Sequence, residues 1–321
     1  MQPPPIRDLL GAFRGRRPPR AGSLIITLFG DAVLPRGGRI WLGSLIRLLQ
    51  PLEVSERLVR TSVFRLARDG WLLAQSQGRR ADYVLSDTGR RRFDEAARRI
   101  YASAAPVWDR RWRLILTVDD LPPKARERIR AALSWKGFGA LGGDCFVHPG
   151  ADIDAAVDAL VAEGLGEHLG ALMPLLAAEA GAGLGASNAQ LVRRAWNLHQ
   201  LGTEYEDFVS TFGPLRDALR SDASQGVDAE DAFLLRLLLI HEYRRLLLRD
   251  PELPDVLLPP EWPGQQARLL CKDLYRRVWA PSERHLDRHV QLASGQTPAA
   301  DPARAQRFAD ADPLQPTGAA P

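Results

Sequence analysis

From Ser55 to Leu73 the chain reads SERLVRTSVFRLARDGWLL, with apolar residues at helical spacing. Val59, Val63, Leu66 and Ala67 fall at i, i+4, i+7 and i+8, one apolar stripe that seats a helix on its own domain. Arg57, Arg60, Thr61 and Arg65 lie off that stripe. Upstream, IWLGSLIRLLQPLEVSE predicts a short apolar helix over residues 41–49, a break at Pro51, and Ser55 as N-cap of the next helix. Helix, tight turn, helix is the helix-turn-helix layout, whose second helix enters a DNA major groove. Downstream, residues 71–74 and 82–85 are expected strands. The linker between them, QSQGRRA, turns at Gly78 and carries Arg79 and Arg80 at its tip, the pattern of a wing that touches phosphates.

The same periodicities order the rest of the chain. Residues 1–20 are rich in proline and arginine and read as a disordered basic arm carrying Arg14, Arg16, Arg17 and Arg20. SLIITLFGDAVLP predicts the first helix of the N-terminal domain, and Arg36, Gly37, Gly38 and Arg39 a turn, with Arg36 grouped among the DNA contacts. Residues 87–101 form a connector helix with Phe93, Ala96, Ala97 and Ile100 inward. Near Trp108 a second unit begins: WRLILTV as strand, PPKARERIRAALSWKG as helix, ALGGDCFVHPG as strand and DIDAAVDALVAEG as helix suggest a ferredoxin-like sandwich. The remainder is helical up to a Pro/Ala-rich tail from Ala293. The fold class expected is α+β, with a winged helix-turn-helix over 21–101, a ferredoxin-like dimerisation domain over 107–180, a C-terminal helical domain over 187–292 and a disordered tail over 293–321.

Charge sharpens this picture. The formal net charge is +4, yet residues 1–101 carry 19 Arg against 9 acidic residues, about +10, while residues 102–321 balance to about −6. The polyanion-binding surface is therefore expected in the N-terminal third. Forty arginines stand against three lysines, so abundance of arginine alone is weak evidence. Cys145 and Cys271 are far apart and suggest neither a disulfide framework nor a zinc site, which fits a reducing cytoplasm. No apolar run approaches the roughly 20 residues of a membrane span.

Several constellations invite other chemistry. Asp119 and Asp120 end a strand, where paired carboxylates hold a divalent metal in some nucleases, but the same residues serve as a helix start. His285 and His289 have i, i+4 ligand spacing without further partners in a recognised order. A CoA-thioester hydrolase lacks the GxSxG nucleophile motif here. No catalytic residue, cofactor or metal site is assigned, and the chain is expected not to be an enzyme.

In order along residues 22–290, the segments SLIITLFGDAVLPRGGRIWLGSLI, ERLVRTSVFRLARDGWL, YVLSDTGRRRF, RIY, WDRRWRLIL and LIHEYRRLLLRDPELPDVLLPPEWPG resemble the PaaX family of bacterial transcriptional repressors. The resemblance implies a dimeric winged-helix repressor of aromatic-acid catabolism genes, typically those for phenylacetate, released from operator DNA by phenylacetyl-CoA. It also implies a central ferredoxin-like domain in the dimer contacts. The wing departs from the family pattern at Ala81 and Asp82. An acyl-CoA effector needs basic groups for its phosphates and an apolar slot for its acyl part. Arg193, Arg194, Trp196, His199, Tyr205, His241, Tyr243 and Arg244 are the candidates; for the His241 cluster, which follows the apolar run FLLRLLLI, a structural network is the competing reading.

Overall fold

The computed structural model describes residues 4–15, 21–178, 187–221, 227–301 and 307–308. They divide into two compact units, one drawn from 1–103, 208–244 and 267–321, the other from 104–207 and 245–266. The helices expected as a separate C-terminal domain are shared between the two.

The first unit opens with α1 (Pro4–Gly15), in which Ile6, Leu10 and Phe13 are buried. Their spacing of four and three is an amphipathic stripe that the proline and arginine content of this stretch conceals. Arg16, Arg17 and Arg20 of the expected arm lie outside the described residues. After α2 (Ala21–Leu28) the helix widens into a π turn, Phe29–Val33, and tightens to a 3-10 turn, Leu34–Arg36. Gly37 and Gly38, at φ 90° and 74°, then redirect the chain into β1 (Arg39–Trp41), on part of the expected turn. Next come α3 (Leu42–Leu49), the 3-10 turn Gln50–Leu52 and α4 (Glu56–Arg68). β2 (Leu72–Gln77) and β3 (Arg80–Leu85) form a hairpin, and the antiparallel sheet order is β1-β3-β2. In α5 (Asp87–Ile100) the Ser86 hydroxyl caps the first turn by accepting from Gly89 N, and Phe93, Ala97 and Ile100 face the core.

That core is centred on α10 (Ala229–Leu247), whose residues 232–240 are buried on every side. One of them is Arg236, 1% exposed, so its guanidinium must find partners inside the protein. It donates from Nε to Asp31 Oδ2 at 2.7 Å and from Nη2 to the Asp31 carbonyl at 2.9 Å, and its Nη1 reaches Glu283 and Ser282. Arg307 donates to Asp31 Oδ1 at 2.9 Å and to the carbonyls of Asp31 and Gly30, while the Tyr101 and Tyr275 hydroxyls also donate to Asp31 Oδ1. The π turn explains why carbonyls are open here. Pro35, four and five residues beyond Asp31 and Gly30, has no N–H to offer them, and the two guanidiniums supply the missing donors. Burial pushes the Asp31 carboxyl up, but Arg236 and then Arg307 outweigh it and hold the group below the ordinary carboxylate range. Phe308 packs edge-on against Tyr101 and Tyr275. Arg307 and Phe308 fall in the stretch expected as tail, yet both are buried, as is Ala293.

The second unit follows a βαββαβ order: β4 (Arg111–Thr117), α6 (Pro123–Trp135), β5 (Gly139–Ala140), β6 (Cys145–His148), α7 (Ile153–Ala162) and β7 (Leu172–Ala178). Its four strands are antiparallel in the order β5-β6-β4-β7, which is the ferredoxin-like arrangement. Alternation along β4 and β6 separates two apolar layers. Ile115 and Phe146 join Ile129, Leu133, Ala156 and Leu160 of α6 and α7. Trp112 and Val147 point the other way, onto Val192 of α8 (Asn188–Ala195), Leu253 and Leu257. α8 stops at Trp196, whose indole donates to the Gly137 carbonyl at 2.9 Å, and α9 (Leu198–Ser221) begins two residues later. α11 (Pro263–His289) is continuous through Pro281.

Candidate nucleic-acid interface

α4 owes its position to both ends and to its buried stripe. The Ser55 hydroxyl accepts from Leu58 N at 3.3 Å, and Gly70, at φ 74°, ends the helix. Val59, Val63 and Leu66 are buried and pack the helix on its own unit. Arg57, Arg60, Thr61, Phe64, Arg65 and Arg68 are exposed.

These exposed residues differ in freedom. Arg60 is tied one turn back to Glu56 at 2.7 Å, and Arg68 pairs with Asp69 at 3.2 Å. The guanidiniums of Arg57 and Arg65 meet no acid among the described residues. Thr61 donates its hydroxyl to the Arg57 carbonyl at 2.9 Å, which leaves its methyl and an oxygen lone pair for another partner.

The hairpin beside α4 pairs Gln77 with Arg80, so its loop is two residues, Gly78 and Arg79. Gly78, at φ 61°, takes the first loop position, where a tight hairpin turn requires a left-handed residue. Arg79 is exposed at the tip without an acid partner among the described residues. Arg80 has a different setting: its guanidinium lies 4.8 Å over the Trp41 ring, which Arg47 also approaches at 5.2 Å. Asp82, the acidic residue at which the expected wing departs from the family pattern, is fully buried. Its carboxylate accepts from Arg39 at 2.7 Å and from the Ala293 amide, so it adds no negative charge to the tip.

Arg36 does not belong to this surface. It is 2% exposed and donates to Glu283 and Asp287, both at 2.7 Å, so the grouping of Arg36 with DNA contacts is corrected to an internal ion pair. Its neighbours in sequence gave no sign of this, because both acids are more than 240 residues away.

The eight effector candidates fall in both units. In the first, His241 Nδ1 lies 3.0 Å from Thr27 Oγ1, Arg244 donates to Ser23 Oγ at 2.9 Å, and Tyr243 packs on Phe208. The first two contacts connect α10 to α2 and the third connects it to α9, the structural role weighed against ligand binding. In the second unit, Tyr205 is buried and donates to Asp250, and Trp196 packs against Trp112 and His148. Arg193, Arg194 and His199 are exposed.

Asp119 and Asp120 are exposed, and Asp119 Oδ1 accepts from the Asp120 amide at 2.8 Å. Among the described residues no group of three or more His, Cys, Asp or Glu is placed to hold a metal ion. No described helix is long and apolar enough to cross a membrane.

Comparison with known proteins agrees with the motifs. Three family models match in succession: PaaX-like protein over residues 20–89, the PaaX protein central Cas2-like domain over 105–174, and the PaaX-like protein C-terminal domain over 196–288. The chain is 39% identical over 289 residues to the transcriptional repressor PaaX of Escherichia coli strain K12, spanning 89% of each protein. It belongs to the PaaX family. Among solved structures, the uncharacterized protein Rv0674 from Mycobacterium tuberculosis aligns over 75% of this chain and 89% of its own, with 21% identity and a TM-score of 0.47.

Proposed function

We propose that this protein is a DNA-binding transcriptional repressor of phenylacetate-type aromatic-acid catabolism genes, acting in the cytoplasm as a homodimer without enzymatic activity. Residues 21–101 act as a winged helix-turn-helix, with α4 as recognition helix and the Gly78–Arg79 tip as wing. The observation that carries this reading is the exposed arginine face of α4, with Arg57 and Arg65 unneutralised, beside a hairpin tip bearing Arg79. Guanidiniums in that position fork onto guanine edges or phosphates.

Dimerisation is assigned to residues 107–180. In support, β7 is an edge strand whose Met173, Leu175 and Leu176 are 44%, 40% and 55% exposed, an apolar row that a second copy can cover. A dimer fixes the separation of two recognition helices against half-sites about 34 Å apart or a multiple of it. An effector that prefers another separation releases the DNA.

The effector is read as an acyl-CoA such as phenylacetyl-CoA, bound by the helical portion over 187–292. Arg193, Arg194 and His199 are the candidates free to meet its phosphates, while His241 and Arg244, bonded to α2, are better placed to transmit binding than to contact ligand. The test is a gel shift with a promoter fragment, titrated separately with phenylacetate, phenylacetyl-CoA and free CoA. Phenylacetyl-CoA alone is expected to lower operator affinity, by about 5- to 150-fold for an ordinary coupling energy. An unshifted fragment refutes the DNA reading; a shift unaffected by all three compounds refutes the effector.

A further inference from the structure

We propose that Phe64 reads a thymine C5-methyl group, as a specificity-determining apolar contact at the centre of the recognition surface. The inference rests on the DNA-binding reading of α4 and adds to it a residue that carries no charge or hydrogen bond.

Phe64 is 67% exposed, a large aromatic ring left in water by a helix that buries Val59, Val63 and Leu66. Arg57, Thr61, Phe64 and Arg68 follow one another at i, i+4, i+7 and i+11, a single line along the helix. That line runs down the middle of the exposed face, with Arg60 on one flank and Arg65 on the other. The ring therefore stands near the middle of the exposed face, the side that a recognition helix turns to the floor of the groove.

Exposure of one phenyl ring is ordinary, but its surroundings restrict what can cover it. Four arginines border it on the same helix, and two of them have no acid partner among the described residues. A neutral protein surface laid on this face strands those charges. A DNA major groove instead offers phosphates on both walls for the arginines and one apolar feature on its floor, the thymine methyl, which apolar side chains such as Phe contact. The Thr61 methyl, one turn away on the same line, extends the apolar strip.

The test uses the full-length protein and a duplex enriched by it from a randomised pool, in which each thymine is replaced by uracil in turn. This deletes one methyl group and leaves every hydrogen bond in place. The parent protein is expected to lose affinity at one thymine per half-site, by about fourfold, the transfer value of one methyl. Phe64→Ala should bind thymine and uracil duplexes equally at that site while keeping its sensitivity to guanine substitutions, and Phe64→Leu should restore part of the preference. A flat uracil scan with the parent overturns the proposal. So does a Phe64→Ala variant that weakens both duplexes by the same factor, the outcome expected if the ring contacts protein. If no duplex is enriched at all, the DNA-binding reading fails and the inference falls with it.

Discussion

Two sets of arginines in the first unit, Arg57 with Arg65 on α4 and Arg236 with Arg307 around Asp31, carry the same charge and have opposite surroundings. The α4 pair stands in solvent with no acid within reach among the described residues. The core pair is 1% and 3% exposed and held by the Asp31 and Glu283 carboxylates and the carbonyls of a π turn, with the Tyr101 and Tyr275 hydroxyls donating to the same Asp31 carboxylate. Burying a guanidinium costs several kcal/mol unless its partners are well placed, so the core cluster is a commitment of the fold. An unneutralised guanidinium on the surface costs the fold almost nothing and remains available to a polyanion. The difference shows that arginine content says little about function until the partners are known.

The largest effect should come from breaking the core cluster. Arg236→Met leaves Asp31 buried with Arg307 as its remaining guanidinium, and removal of one partner from a buried pair typically costs about 3–5 kcal/mol. Urea unfolding should register a loss of that order. A loss under about 1 kcal/mol contradicts the assignment of Arg236 as a structural charge.

A smaller effect is expected from pH. His285 is stacked on Phe233 at 5.0 Å, beside His289, and burial followed by the neighbouring His289 charge pushes its pKa down to about 4. Below about pH 6.5 the unfolded chain therefore takes up a proton that the folded chain refuses. Stability falls as pH drops from about 6.5 to about 4 and levels once the folded form protonates too. Asp31 acts in a different window: its pKa is depressed, so its contribution is complete above the ordinary carboxylate value and is lost only as pH falls through the lower folded value. His285→Gln should flatten the upper slope in urea midpoints measured across pH, and an unchanged slope rules out His285 as its source.

These contrasts also mark what the sequence can and cannot convey. The stripe of Val59, Val63 and Leu66, the Ser55 cap and the glycine in the hairpin loop are local signals, and α3, α4 and the hairpin were legible from them. β4, α6, β6 and α7 were legible for the same reason. β7 was not, because LMPLLAA shows no alternation and contains a proline, tolerated here on an edge strand. α1 was hidden by composition, although Ile6, Leu10 and Phe13 are correctly spaced. Arg36 was misassigned and the Asp31 cluster missed for one physical reason. Apart from Tyr101, 70 residues from Asp31, their partners lie more than 200 residues along the chain, and only tertiary packing brings them together. Phe64 was overlooked because apolar residues in an amphipathic helix are expected inside, and its angle on the helix, off the buried stripe, was the available signal.

The most direct test of the central claim compares the two kinds of arginine in one experiment. Operator affinity by fluorescence anisotropy and stability by urea unfolding are measured for an Arg57→Ala, Arg65→Ala double variant and for Arg36→Ala. The double variant should keep its stability within about 0.5 kcal/mol, as surface changes do, and lose about 1–3 kcal/mol of operator affinity per arginine. Arg36→Ala should lose stability, by about 1–3 kcal/mol for a broken charged hydrogen-bonded pair, while its folded fraction binds DNA like the parent. Parental DNA affinity in the Arg57, Arg65 double variant would contradict the account.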